Sequence, residues 1–443
     1  MSENRTVGMI SLGCNKNRVD SEIALGLMRE HGWTVTPEPG EAEVLIVNTC
    51  GFIGPAKEES IDAILEMADF KRRGRCRLLV VTGCLAQRYG QELLDEMPEI
   101  DLLLGVNQYP RLPELVEEAL RAPQAVRTPW CADTLGYFEH DRVLTTPGYS
   151  AYVRIGEGCS NRCAFCAIPL IRGKYRSRDR EAILAEGQAL AKQGVREHIL
   201  VAQDTTRWGT DGGQHSRLHE LLRDYAAIPG VDWLRVLYCY PDETSEALLD
   251  VIAGTPNICS YLDLPFQHIN DDILRRMRRR GDSGDIRRCV RLAKERGLTL
   301  RTSLIVGFPG ETEAQFQELL DFLAEARIDR VGAFAFSPEE GTPAAEMPDQ
   351  IPEEVKQERL DRLMKLQNRI AREENEKRVG QTVRVLVTAE PGPTGSAYGR
   401  SEAEVPESDG EILFEAKGRI YEGDFVNVRL LSAGAYDMAG VQV

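Results

Sequence analysis

The 443-residue sequence has no run approaching the roughly 20 apolar residues that span a bilayer, and Met1-Ser2-Glu3-Asn4-Arg5-Thr6 carries no apolar signal region. The chain therefore reads as cytoplasmic, with no membrane partner. It also lacks an excess of positive charge: 54 Lys and Arg stand against 70 Asp and Glu, a formal net charge of −16. Broad affinity for nucleic acid or anionic lipid needs a basic surface to meet phosphates, so a basic partner suits this chain better. A disulphide framework is the third absence. In a reducing compartment eleven cysteines read as ligands, catalytic thiols or small buried residues, and their spacing decides which.

What is present is a long alternation of short apolar runs and amphipathic segments, over a length that suits two or three domains. In the first 122 residues, strands are expected near 7–12, 43–48, 78–82 and 102–105, and helices near 20–31, 57–70 and 111–121. This is the pattern of a doubly wound parallel sheet. Periodicity then fades, with Pro123, Pro129, Pro147 and Gly148, and 123–145 is expected to be a connector. Over 146–376 the alternation resumes, with six strands near 152–155, 198–202, 234–237, 261–264, 300–306 and 331–336, an open (βα)6 barrel. A helix is expected over 353–377, with Pro352 at its start and Gly380 beyond its end. Residues 377–443 read as a small OB-like β-barrel, with β runs near 382–388, 411–414 and 424–430.

Chemistry concentrates in Glu157-Gly158-Cys159-Ser160-Asn161-Arg162-Cys163-Ala164-Phe165-Cys166, directly after the first barrel strand. Cys159, Cys163 and Cys166 make a C-x3-C-x2-C loop, three thiolates where a closed 4Fe–4S site would use four. The open iron could chelate the amino and carboxylate groups of a methionine moiety, with Phe165 facing an adenine. The alternatives are a structural zinc site or a dithiol on Cys163-x2-Cys166. Zinc wants a fourth ligand, and no His or second Cys pair lies nearby in sequence. The loop resembles that of the radical S-adenosylmethionine superfamily, whose core is an open six-unit βα barrel.

A second triplet is built differently. Cys14, Cys50 and Cys84 each lie just past the carboxyl end of an expected parallel strand, the edge at which open α/β sheets form their sites. The alternative is three unrelated buried cysteines, which is how Cys76, Cys131, Cys239, Cys259 and Cys289 read.

Ser11-Leu12-Gly13-Cys14-Asn15-Lys16-Asn17-Arg18-Val19-Asp20-Ser21-Glu22 resembles the opening signature of the methylthiotransferase family, and the resemblance covers essentially the whole chain. It implies an N-terminal cluster domain, a radical barrel and a C-terminal TRAM domain. It also implies two 4Fe–4S clusters, the second holding the sulphur to be inserted, with S-adenosylmethionine, an external electron donor and a sulphur donor. Within the barrel, Gln203, Asp204, Gln267, Arg301 and Gly307 are expected to contact the cofactor alongside Phe165. Ordinary polar turns are the alternative for 203–206 and 307–312.

Two branches share this chemistry. One modifies adenosine in tRNA and typically has Gln-Met-Asn after its first cluster cysteine. Asn15-Lys16-Asn17 here resembles the other, which modifies an aspartate of the small-subunit ribosomal protein uS12. The tail agrees, with five Lys and Arg against ten Asp and Glu over 379–443. The carboxylates Glu402, Glu404, Glu407, Asp409 and Glu411 would face a basic ribosomal protein or simply solvent. A noncatalytic iron–sulphur scaffold or electron carrier is the alternative of a different class.

Smaller features remain. Arg172, Lys174, Arg176 and Arg178 follow the cysteine loop and suit a substrate or carboxylate contact. The run Arg275, Arg276, Arg278, Arg279 and Arg280 is expected to be a solvated helix face, and His215 and His219 to lie at the surface.

Overall fold

The computed structural model describes residues 5–122, 139–213, 215–393 and 395–443. Cys131 and most of the expected connector lie outside the described residues. The chain divides into two compact units: 1–145 with 156–178 and 339–345, and 146–155 with 179–338 and 346–443.

The first unit is built on five parallel strands in the order Thr34–Val35, Thr6–Ser11, Val44–Thr49, Leu78–Gly83, Leu102–Leu103. The two central strands, VLIVNT and LLVVTG, are buried along their whole length, as expected of parallel strands covered on both faces. Leu45, Val47, Leu79, Val81 and Leu103 share one core cluster with Ile64 and Met67 of the helix Gly54–Ala68. The first helix is longer than its periodicity predicts. It spans Asn15–Glu30, because its opening turn carries polar residues, Lys16 and Asn17, that are buried. Cys14 becomes its N-cap residue, and Cys84 opens the helix Cys84–Glu96. The loop 156–178 also belongs to this unit, closed at its base by Gly156–Glu157 pairing antiparallel with Arg176–Ser177.

The second unit holds six parallel barrel strands in two ladders. Ser150–Arg154, Glu197–Val201 and Trp233–Val236 form one, and Tyr261–Asp263, Thr299–Val306 and Arg330–Ala335 the other. The Leu234–Ile258 bridge and the hydrogen bond from Cys239 N to Asp263 O (2.9 Å) join them. Beyond the helix Glu353–Glu376, five strands close a barrel in the order Thr382–Ala389, Ser396–Arg400, Ile412–Glu415, Met438–Gln442, Phe425–Ala433. Its core includes Val385, Val387, Ile412, Phe414, Val428 and Leu430.

The small barrel packs on the amino ends of the parallel strands through buried ion pairs. Glu197 takes Arg235 at 2.7 Å and Arg400 at 2.7 Å. Glu404 takes Arg378 at 2.6 Å and Arg330 at 3.4 Å. Tyr261 donates to Asp409 at 2.7 Å. This corrects the reading of the tail acids as one partner-facing cluster. Glu404 is 1% exposed and is neutralised by the chain's own arginines, and the Asp409 side chain is buried, with Arg301 Nε 3.8 Å away. Only Glu402 and Glu407 are exposed.

Candidate active site

In a parallel sheet all strands deliver their carboxyl ends to one edge. Thr6–Ser11, Val44–Thr49 and Leu78–Gly83 are neighbours, with Ser11 opposite Asn48 and Thr49 opposite Gly83. Cys14, Cys50 and Cys84 therefore emerge side by side. Gly13 and Gly83 permit the approach. Gly13 has φ +83°, and a Cβ there would meet Cys50 Cβ at 2.8 Å; Gly83 has φ +97°, and a Cβ would meet the Thr49 carbonyl at 2.4 Å. Burial pushes Cys50 up to about 12, opposed by the Phe52 backbone N–H and reinforced by Cys84 and Cys14. Burial also raises Cys84, with Arg172 opposing.

Around the thiols runs a buried polar frame. Asn17 Nδ2 donates to Leu12 O at 2.7 Å and Thr49 O at 3.1 Å, fixing the backbone ahead of Cys14 and Cys50. Asn48 Nδ2 donates to Asn17 O and Ser21 Oγ, both at 2.8 Å. Ser60 Oγ accepts from Cys50 N at 2.9 Å. On the outer side, Glu339 gathers Lys57 at 2.9 Å, Arg88 at 3.1 Å and the Gly54 N–H at 3.1 Å, and Arg88 donates on to Gly51 O at 3.0 Å.

Cys159, Cys163 and Cys166 lie in the same compact unit. Cys159 N donates to Gly173 O at 3.0 Å and Ser160 Oγ accepts from Tyr175 N at 3.1 Å, so the loop closes on its own exit strand. Cys166 N donates to Cys163 O at 3.1 Å in a tight turn, and Ala164 O accepts from Ala344 N at 2.9 Å. Cys159 and Cys163 are buried, and Cys166 and Phe165 half-buried. The short helix Ile168–Arg172 that follows packs Ala167 and Ile171 against Cys84. Its last residue, Arg172, reaches Asp20 at 2.6 Å, Asn17 Oδ1 at 3.1 Å, Cys84 Sγ at 3.3 Å and Glu157 at 3.4 Å. The carboxylates it was expected to meet belong to the chain itself. Arg178 is likewise buried, on Glu139, and Lys174 is exposed.

Among the described residues, no group of three or more His, Cys, Asp or Glu gathers as ligands of a single metal ion. Cluster thiolates bind separate irons of one cluster, so they stand further apart. Each triplet offers three soft sulphur donors, with the Arg172 guanidinium against Cys84, and this donor set fits an iron–sulphur cluster.

In the second unit, Gln203, Asp204, Gln267 and Gly307 all follow the carboxyl ends of barrel strands. Asp204 is fully buried, accepts from Thr206 Oγ1 at 2.5 Å and has Arg280 at 3.5 Å. Gln267 adopts φ +72°, a left-handed conformation unfavourable for a side chain with a Cβ and concentrated at functional loops. Gly307 N donates to Glu311, whose other oxygen lies 3.5 Å from His268 Nε2, all fully or nearly fully buried. Arg301 differs in placement. It pairs with Asp263 at 3.2 Å near the amino end of its strand, and Asp409 of the small barrel is also close.

The basic run is not one solvated face. Its helix ends at Arg276. Arg275, Arg276 and Arg278 are exposed, whereas Arg279 stacks over Tyr240 at 4.3 Å and Arg280 turns to Asp204, Asp242 and Glu243. His215 is exposed, and His219 stands in the first turn of the helix Leu218–Ala226. Cys76, Cys239, Cys259 and Cys289 are buried, and burial raises each thiol. Asn17, Glu157 and Glu339 are site residues to which the sequence gives no role, whereas Arg172 and Arg280 stand out in it only as members of basic runs. Asn17 and Glu157 stand close to a cysteine in the sequence, and Glu339 carries no such signal.

Three protein families match in series: the uncharacterized protein family UPF0004 over residues 6–105, the radical SAM superfamily over 153–323 and the TRAM domain over 379–443. Among solved structures, the chain resembles the radical S-adenosylmethionine methyltransferase TsrM from Kitasatospora setae, with TM-score 0.55 and 15% identity over 88% of this chain and 80% of that one. The cobalamin-dependent radical enzyme OxsB gives TM-score 0.51 and 12% identity over 82% and 56%. These likenesses show the fold. Sequence relatives go further. The ribosomal protein uS12 methylthiotransferase RimO of Desulforamulus reducens is 50% identical over 98% of this chain and 99% of its own length, and that of Heliobacterium modesticaldum 48% identical over 98% and 94%. The chain belongs to the RimO family, the ribosomal-protein branch of the radical S-adenosylmethionine methylthiotransferases.

Proposed function

We propose that this protein inserts a methylthio group at the β-carbon of an aspartate of uS12, acting in the cytoplasm with an external electron donor and a sulphur donor. The observation that carries the reading is the pair of cysteine triplets in one compact unit, in a chain about half identical to RimO proteins over its length. Cys159, Cys163 and Cys166 would hold one 4Fe–4S cluster and Cys14, Cys50 and Cys84 the other. Bound there, the clusters supply reductive cleavage of S-adenosylmethionine at the first and sulphur for insertion at the second.

The chain's own task is positioning. Gly13 and Gly83 let neighbouring strands present their thiols together, Asn17 holds two of the three loops, and the exit strand Arg176–Ser177 closes the other triplet. For the cofactor we assign Phe165, Gln203, Asp204, Gln267, Arg301 and Gly307. Support comes from strand-end placement for all but Phe165 and Arg301. Phe165 rests on its place in the cysteine loop. Arg301 rests on the resemblance alone, since its carboxylate partners are internal.

Two variants test the division of labour. Cys163→Ala should abolish 5′-deoxyadenosine formation, and Cys50→Ala should preserve it while stopping sulphur insertion, each with iron content falling by about half. Reconstituted protein carrying one cluster per chain refutes the two-cluster reading. Mass spectrometry of uS12 and tRNA from a deletion strain decides the substrate, and loss of a methylthio group from tRNA alone overturns it.

A further inference from the structure

The most heavily constrained ionised side chain near the cysteines is Arg172. Its side chain is 3% exposed, and its two terminal nitrogens divide their work. NH1 faces carboxylates, Asp20 at 2.6 Å and Glu157 at 3.4 Å. NH2 faces the Asn17 amide oxygen at 3.1 Å and Cys84 Sγ at 3.3 Å. A buried guanidinium stays charged, so this is a fixed cation within hydrogen-bond distance of a thiol sulphur.

The contacts also have a pattern. Asn17 is tied to the backbone before Cys14 and before Cys50, so Arg172 reaches the loops of Cys14, Cys50 and Cys84, two through Asn17 and one directly. Glu157 is two residues before Cys159, and Arg172 itself is six residues after Cys166. One side chain is thus anchored at both flanks of one triplet and aimed at the sulphur of the other.

Hydrogen bonds to ligand sulphur and nearby charge set the potential of an iron–sulphur cluster. We propose that Arg172 is a positioning residue that sets the redox potential of the Cys14–Cys50–Cys84 cluster, with Asp20 as the carboxylate that tempers its charge. The proposal rests on the two-cluster reading above. It predicts opposite effects from two neighbours in one ion pair. Arg172→Met removes the cation and the N–H donor from sulphur, which disfavours the added electron and lowers the potential. Asp20→Asn leaves the cation with less compensation, which raises it.

The experiment uses the full-length chain with Cys159, Cys163 and Cys166 all changed to Ala, so that one cluster remains. Redox titration followed by electron paramagnetic resonance reads its midpoint. Each substitution should change the reduced-to-oxidised ratio at a fixed poise by about tenfold, ~59 mV for a one-electron couple, downward for Arg172→Met and upward for Asp20→Asn. Arg172→Lys, which keeps the charge, should recover part of the loss. Shifts in the same direction, or none, overturn the proposal. If Arg172→Met fails to fold, Asp20→Asn alone decides, because a merely structural pair gives no upward shift. If the triple-alanine chain takes up no cluster, the two-cluster reading itself fails and the proposal falls with it.

Discussion

Replacing Glu197 with Gln tests how the small barrel is held on the larger one. The carboxylate accepts from Arg235 Nε at 2.7 Å, from Arg400 at 2.7 and 3.1 Å and from Ser150 Oγ at 2.9 Å, with Glu197 and Arg235 fully buried. Burial alone would raise its pKa, but Arg400 and Arg235 outweigh burial and hold it at about 2 against an ordinary 4.5. That interval converts to about 3 kcal/mol at ~1.4 kcal/mol per pH unit. Removing one partner of a buried pair costs ~3–5 kcal/mol by an independent route. Glu197→Gln keeps the shape and removes the charge, leaving two buried guanidiniums against a neutral amide. Because the folded pKa is depressed, the contribution is complete above the unfolded value of 4.5 and disappears as pH falls through about 2. The deficit of Glu197→Gln should therefore be near 3 kcal/mol at pH 7 and shrink between pH 4.5 and 2. Urea unfolding across that range measures it, and hydrogen exchange over residues 400–410 locates it. A deficit under about 0.5 kcal/mol at pH 7, or one that does not change with pH, refutes the reasoning.

Three further outcomes are expected. Gly13→Ala places a Cβ 2.8 Å from Cys50 Cβ at φ +83°. Iron content should fall by about half with 5′-deoxyadenosine formation retained, and full iron loading contradicts the account. Glu339→Gln weakens the hold on Lys57, Arg88 and Gly54 N. It should cost about 2 kcal/mol, less than a fully buried pair because Lys57 reaches solvent, with faster hydrogen exchange at the start of the helix Gly54–Ala68. Thr312→Ala removes the capping box with Gln315 and should cost about 1 kcal/mol in a thermal or urea unfolding series.

The strand-end position of Cys50 and Cys84 was legible because parallel strands buried on both faces are written as apolar runs, and that of Cys14 because Val7 to Leu12 is a mostly apolar run. Some short or polar strands were not. Thr34–Val35 is two residues long, and Ser396–Arg400 reads SAYGR, without an apolar run. The acidic tail misleads for a related reason. Glu404 carries the same letter whether it faces water or Arg378 and Arg330, and those partners lie 26 and 74 residues away. Arg172 and Asp20, 152 residues apart, are hidden in the same way. Buried pairs between distant segments leave no local periodicity to read.

The discontinuity of the first unit bears on how the protein is made. Its five-stranded sheet lies within residues 1–145, but the partners that neutralise Asp20 and that bind Lys57 and Arg88 arrive with 156–178 and 339–345. During synthesis the amino-terminal segment is exposed for about 200 residues, roughly 10–40 s of elongation, before its last piece is available. Its polar frame cannot be completed in order of emergence. The polar surroundings of Cys14, Cys50 and Cys84 are therefore completed only once residues 339–345 have been made.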